Sequence, residues 1–363
     1  MTSIGFDQPA RPMSPKPAID CGRDPVAAAL WLARAFAAGR RLRVWAPGAP
    51  DHAHHVAVEF VHPVVAGTRP LAASVAASEA AAAASTEATL VIGGNRAAAD
   101  LFISAHQSDA AIVLSYHVLW ELVQVALEHP GLVGSAGAAG GDSTGFLYPF
   151  LDAAEDDEAS LREALRASAG AKRDESERLA RRSLESNRAT LEEAGRAIGR
   201  AAGAGGRVLT MGNGGSATDA ARLARVLSSR GVAAESLSAD YAVATALAND
   251  LGAERIFSRQ LDAFGQPGDA LVGCSTSGAS RNLLAAFDQA AGRGLTTVGL
   301  SGYGGGSLEG RPSVHHSLVV QSMSVHRIQE AQAALMSALC ERAAGALAVE
   351  EPAVEEPAVE GTG

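Results

Sequence analysis

The chain has few aromatic residues, few cysteines and no surplus of positive charge. Aromatics make up 4% of its 363 residues. A core built without them is aliphatic and closely packed, as α/β folds allow. Cys21, Cys274 and Cys340 are far apart and odd in number. They form neither a disulfide framework nor a metal-type pair, which fits a reducing cytoplasm. The net charge is −10 with no basic stripe, which argues against binding nucleic acid through its phosphates. Long apolar runs are also missing. The first twenty residues do not read as a signal peptide. The alanine-rich stretch 71–90 carries Glu79 and Glu87. It is too polar to span a bilayer and reads as a helix or an ordered linker. No membrane association is expected.

What is present suits a globular protein. Hydrophobic residues make up 47% and charged residues 19%, and the length accommodates two domains. Two segments look alike: "ALWLARAFAAGRRLRVWAPGAP" from Ala29 and "EAGRAIGRAAGAGGRVLTMGNGGS" from Glu193. Each reads as an amphipathic helix, a short Arg-Val strand and a turn that enters another helix. Between them "GSAGAAGGDSTG" has the composition of a flexible linker. The end of the chain, with "EEPAV" twice, reads as an acidic disordered tail.

The organisation expected is a disordered start (1–22), a reduced α/β domain (23–133), a linker with an acidic helix start (134–174), a second α/β domain (175–346) and the tail (347–363). In the second half strands alternate with helices, which implies a doubly wound parallel sheet.

Two loops there carry chemistry. "MGNGGSAT" (211–218) and "CSTSGASRN" (274–282) each follow an apolar strand and open a helix. Backbone N–H groups at a helix start favour an anion, and glycines let the backbone approach it. Ser216, Ser275, Thr276, Ser277 and Ser280 add hydroxyls. Two such loops at successive strand ends of one sheet mark a phosphate cradle.

In order, "GNGGSATDAA", "ALANDLG", "IFSRQ", "GQPGDALVGCSTSGAS", "TTVGLSG" and "RIQEAQ" resemble the SIS sugar-phosphate-binding domain of the phosphoheptose isomerase type. The resemblance covers about residues 175–345 and implies a flavodoxin-like fold. It places Asn213, Gly214, Gly215, Ser216, Asp240, Asn249, Ser275, Thr276, Ser277, Ser280 and Gln329 around a sugar phosphate. It also implies an enediol proton shuttle that uses a glutamate and a histidine, which in some members belong to a metal site with a second histidine and a glutamine. Here those positions depart from the pattern. The helix after the first glycine loop carries Arg222 and Val226, and the last helix carries Ser337 eight residues past Gln329. His326 stands where the family has an acidic residue that contacts the sugar.

The first half supplies what is missing. In "APDHAHHVAVEF" (49–60), His52, His55 and Glu59 share a helix face; a solvated helix start would show the same spacing. If the halves are aligned through Arg43-Val44 and Arg207-Val208, with a loop three residues shorter, His55 and Glu59 fall opposite Arg222 and Val226. "SYHVLWELVQ" (115–124) resembles the end of the family's last helix and puts His117 at the catalytic histidine, with Asp109 opposite the glutamine. His55, Glu59, Asp109 and His117 then form a candidate site for a divalent metal, zinc by its mixed N/O donors, with Glu59 and His117 as catalytic groups. Seven of the ten histidines lie in this half. The expected function is sugar-phosphate isomerisation at a composite site, in a homo-oligomer as in the family. The alternative is a non-catalytic SIS protein that senses a sugar phosphate or acts as an assembly partner.

Overall fold

A computed structural model describes residues 18–63, 68–83, 87–129 and 158–350. The expected linker and all of the acidic tail past Glu350 lie outside these residues. The chain forms two five-stranded sheets in which every pairing is parallel.

The first sheet contains β1 (Ile19–Asp20), β2 (Leu42–Trp45), β3 (Ala73–Val75), β4 (Ala88–Ile92) and β5 (Leu101–Ile103), in the order β1-β5-β4-β2-β3. The second contains β6 (Val208–Gly212), β7 (Ala234–Ser236), β8 (Ala270–Cys274), β9 (Thr296–Ser301) and β10 (His316–Val319), in the order β10-β9-β8-β6-β7. The two orders match strand for strand except at one edge. There the first half uses the strand that begins it, and the second half uses the strand that follows β9. All five residues of β4, β6 and β8 are buried, as expected for strands covered on both faces.

Two expectations are corrected. The segment 1–22 is not disordered throughout, because Ile19–Asp20 pairs with β5 and Cys21 is fully buried. The stretch 71–90 is neither one helix nor a linker. It holds β3, a short helix α3 (Glu79–Ala83) and the start of β4. Pairing of Ala73–Val75 with β2 outweighs alanine's helix preference.

The helices α1 (Pro25–Ala37), α2 (Pro50–Val61) and α4 (Asp109–Glu128) belong to the first half. The second half contributes α5 (Glu158–Ser186), α6 (Arg188–Gly203), α7 (Gly215–Ser228), α8 (Tyr241–Leu251), α9 (Ile256–Phe264), α10 (Arg281–Gly292) and α11 (Val325–Glu350). Across the junction α2 packs on α7 and α4 packs on α11. Each partner occupies the matching place in its own half, so the halves meet about a pseudo-twofold axis. One apolar cluster runs through both halves. Among the described residues α4 alone is long and apolar enough to cross a membrane, and it is mostly buried in this core.

The seam between α6 and α11 depends on a missing side chain. A Cβ at Gly199 would lie 2.5 Å from Ala346 Cβ and 2.8 Å from the Ala343 carbonyl oxygen. Gly170, in α5, has nothing within 4 Å of the same position. Replacing a helical glycine by alanine gains about 1 kcal/mol of helix preference, and overpacking costs about 1–3 kcal/mol. Urea denaturation should therefore give opposite signs: Gly170→Ala stabilises, by up to about 1 kcal/mol, and Gly199→Ala destabilises. Equal shifts would show that the seam relaxes freely.

Candidate functional site

Two polar clusters lie at the junction of the halves. In the first, α2 contributes His55 and Glu59, α4 contributes His117 and α11 contributes Gln329; all four side chains are buried. One ligand atom from each of His55, Glu59 and His117 lies within 4.8 Å of the others. The spacing of four brings His55 Nε2 to 3.6 Å from Glu59 Oε1. His54 points outward and is exposed, as the helix periodicity predicts.

The hydrogen-bond network fixes where the imidazole protons sit. Thr218, in the first turn of α7, donates its hydroxyl proton to the Gly215 carbonyl at 2.6 Å. Its oxygen, 2.9 Å from His55 Nδ1, must then accept from that nitrogen. His117 Nδ1 donates to Glu330 Oε1 at 3.0 Å. Both rings therefore turn their Nε2 atoms inward, 3.4 Å apart. Burial and the neighbouring charge of His326 hold His117 well below the usual imidazole range, so it is neutral. Gln329 Nε2 lies 3.4 Å from His55 Nε2, and its buried Oε1 has no hydrogen-bond partner. Two imidazole nitrogens and a carboxylate converge, with the Gln329 amide beside them, a donor set that a divalent cation satisfies.

Supporting residues hold this set. His326, at the start of α11, donates at both ends: Nε2 to Glu59 Oε2 at 3.2 Å and Nδ1 to Glu121 Oε1 at 2.9 Å. Burial opposes its charge, but the bonds to Glu121 and Glu59 outweigh it and lift the imidazole to about 9. Burial likewise opposes ionisation of Glu59, yet the hydrogen bond from His326 outweighs it and holds the carboxyl below its usual range. Arg327 and Lys172 also pair with Glu121. Burial pushes Glu330 up to about 7 despite the opposing charge of Arg327.

The glycine loop lies directly over the cluster. A Cβ at Gly215 would be 2.5 Å from Gln329 Nε2 and 3.3 Å from both Glu59 Oε1 and His55 Nε2. Gly214 sits at φ 56°, ψ −126°, which a side chain would strain. This loop meets the serine loop through paired amides: Asn213 and Asn282 exchange hydrogen bonds of 3.0 and 2.9 Å. Ser275 Oγ accepts from Gly278 N, and Ser277 Oγ from Ala279 N. Ser280 caps α10, Ser216 is buried in the first turn of α7, and Thr276 is half-buried. Asp240 caps α8, and Asn249 pairs with Asp250; both are exposed and contact their own helix rather than the cluster.

Asp109 lies in the second cluster, apart from His55, Glu59 and His117. Its Oδ1 is 3.0 Å from His52 Nε2 and 4.0 Å from Arg225. The pseudo-twofold axis accounts for this position. It maps His55, Glu59, His117 and Gln329 onto Arg222, Val226, Ser337 and Asp109, and these four line one small cavity of about 10 Å³. That volume holds about one water at most. Arg222 bonds Asp219 at 2.8 Å, and Arg225 forms a forked pair with Asp51. Burial opposes the charge on Arg222, but Asp219, Tyr116, Asp109 and Asp51 outweigh it and raise its pKa. A guanidinium thus provides positive charge in the mate of the His/Glu cluster.

The sequence alone did not reveal the bridging function of His326 or the supporting roles of Thr218, Glu121 and Glu330. Glu121 follows His117 by four, so its shared face was readable. The contact with α11 was not, because it depends on how the halves dock.

Breaking a buried ion pair costs about 3–5 kcal/mol when one partner is left charged. Arg222→Met should show a loss of that size by chemical denaturation, and Arg222→Met with Asp219→Leu a smaller one. A single substitution within about 0.5 kcal/mol of the parent would show that the arginine is not clamping the junction.

Comparisons with known proteins agree with this geometry. A SIS domain matches residues 173–302. The phosphoheptose isomerase of Trichlorobacter lovleyi is 43% identical over 143 residues, 38% of this chain and 72% of that protein. That of Helicobacter pylori strain P12 is 42% identical over 142 residues, 38% and 73% of the two chains. The solved C-terminal domain of glucosamine-fructose-6-phosphate aminotransferase from Francisella tularensis shares the fold over 90% of this chain and 95% of its own, with a TM-score of 0.52 and 10% identity. Through its second half, the chain belongs to the SIS-domain family of phosphoheptose isomerases.

Proposed function

We propose that the chain is an aldose–ketose isomerase of a sugar phosphate, a seven-carbon one by its relatives, acting at one composite site. The observation that carries this reading is the contact between the glycine loop and the His/Glu cluster. The loops at 212–216 and 275–280 come from the second half, and the groups that can move a proton come from the first. Gly215, in the first of these loops, lies within a few ångströms of His55 and Glu59, which supports the near-contact geometry that effective catalysis needs.

The substrate phosphate rests on the N-termini of α7 and α10, among the backbone N–H groups and Ser216, Ser275, Thr276, Ser277 and Ser280. Asn213 lies at the junction of the two loops, and Asp240 and Asn249 reach the outer end of the sugar. Glu59, anionic through its histidine partners, takes the proton from one of carbons C1 and C2 and returns it to the other through an enediol. His117, neutral and with Nε2 free of a proton, assists ring opening as the second acid/base. His55, Glu59, His117 and Gln329 would hold a divalent metal, zinc by donor type, which when bound polarises the substrate carbonyl. Buried free thiols at Cys21, Cys274 and Cys340 suit a reducing cytoplasm. None of the eleven residues of α8 is buried, and Tyr241 and Leu251 face outward, which suits contact with a second copy in a homo-oligomer.

Purified chain supplied with Zn²⁺ should isomerise sedoheptulose 7-phosphate. Glu59→Gln should lower kcat by about 10²–10⁴-fold while sugar-phosphate binding persists. Ser277→Glu should abolish that binding, because a carboxylate at the helix start repels the phosphate. Replacing both His55 and His117 by alanine should remove metal and activity and leave binding largely intact. Full activity in the double variant would refute the composite site; tight binding by Ser277→Glu would refute the cradle.

A further inference from the structure

His326 stands in the first turn of α11, the last helix of the second half. Here it is buried and engaged at both nitrogens by carboxylates of the other half, Glu59 on α2 and Glu121 on α4. A carboxylate in its place would face two others. The ring is also packed: it stacks on His117 at 4.5 Å and 19°, and meets the edge of Trp120 at 5.0 Å. Glu121 is itself held by Arg327 at 3.1 Å and by Lys172. The orientation of His326 is thus fixed from three helices.

The consequence falls on Glu59. His326 takes Oε2, which leaves Oε1 toward His55 Nε2 and the Gly215 loop. We propose that His326 is a positioning residue for Glu59, tying one carboxylate oxygen to Glu121 so that the other is presented to the converging ligand set and to the substrate. This rests on the composite-site reading above. It assigns to α11 a second contribution besides Gln329: aiming the first half's carboxylate when the halves dock.

The test uses the full chain, Co²⁺ as the probe metal, and the variants His326→Ala and His326→Gln. The wild type should bind about one equivalent of Co²⁺ with a defined visible spectrum. Loss of an outer-shell partner typically costs 10–100-fold in metal affinity, so His326→Ala should weaken Co²⁺ binding by about that factor and shift the absorption bands. With zinc restored, its kcat should fall while KM for sedoheptulose 7-phosphate stays within about twofold. His326→Gln keeps a donor toward Glu59 and should recover part of both losses; it also serves if the alanine variant folds poorly by circular dichroism. Unchanged Co²⁺ affinity and spectrum in a folded His326 variant would overturn the positioning role, as would a glutamine variant no better than alanine. A wild type that takes up no Co²⁺ would overturn the composite metal site, and the positioning role with it.

Discussion

Two imidazole Nε2 atoms face each other across 3.4 Å in the interior of this protein, and much of the junction is arranged around that contact. Neither ring can turn away. Thr218 holds one and Glu330 the other, and both supporting residues come from the second half while both rings come from the first. Two such nitrogens set this close, beside a carboxylate, are held together by a shared proton or by a cation among them. The network outside them is charged in compensation, with His326, Arg327 and Lys172 against Glu59, Glu121 and Glu330.

The pseudo-twofold axis presents the same problem a second time with a different solution. Where the first site gathers His55, Glu59, His117 and Gln329, its mate gathers Arg222, Val226, Ser337 and Asp109. The guanidinium carries its own charge, needs no metal, and fills the space. Asp219, Asp51 and Asp109 balance it together with Arg225. On the composite-site proposal, the first half keeps the proton-moving groups and the second keeps the phosphate loops. The shared sheet order supports a common origin, and the exchanged edge strand marks where the halves diverged.

Much of this was legible in the sequence because it is local. The glycine and serine loops announce their helices and their affinity for anions within a few residues. The His55–Glu59 spacing fixes a shared helix face. Aligning Arg43-Val44 with Arg207-Val208 is two residues out, because Leu42 holds the same register against Ala73 and Ala88 as Val208 holds against Ala234 and Ala270; Arg222 is still the counterpart of His55, across a loop one residue longer rather than three. What was not legible depends on docking. Asp109 was matched to the glutamine position and expected to join His55, Glu59 and His117, but it lies beside His52 and Arg225 instead. Symmetry carries it into the mate cluster, and Gln329 of the other half completes the first. His326 could not be assigned because both of its carboxylate partners lie more than two hundred residues away. Alanine-rich 71–90 misled for a related reason: its strand exists through pairing with β2, a tertiary contact that composition does not encode.

The account claims one cation site per chain, assembled from both halves, and a mate closed by an arginine. Anomalous diffraction at the zinc edge, on crystals grown with Zn²⁺, tests this most directly. A single strong peak among His55, Glu59, His117 and Gln329, with none among Asp109, Arg222, Val226 and Ser337, is the predicted result. A peak in the mate, or zinc bound only at surface residues with the His/Glu cluster empty, would contradict it.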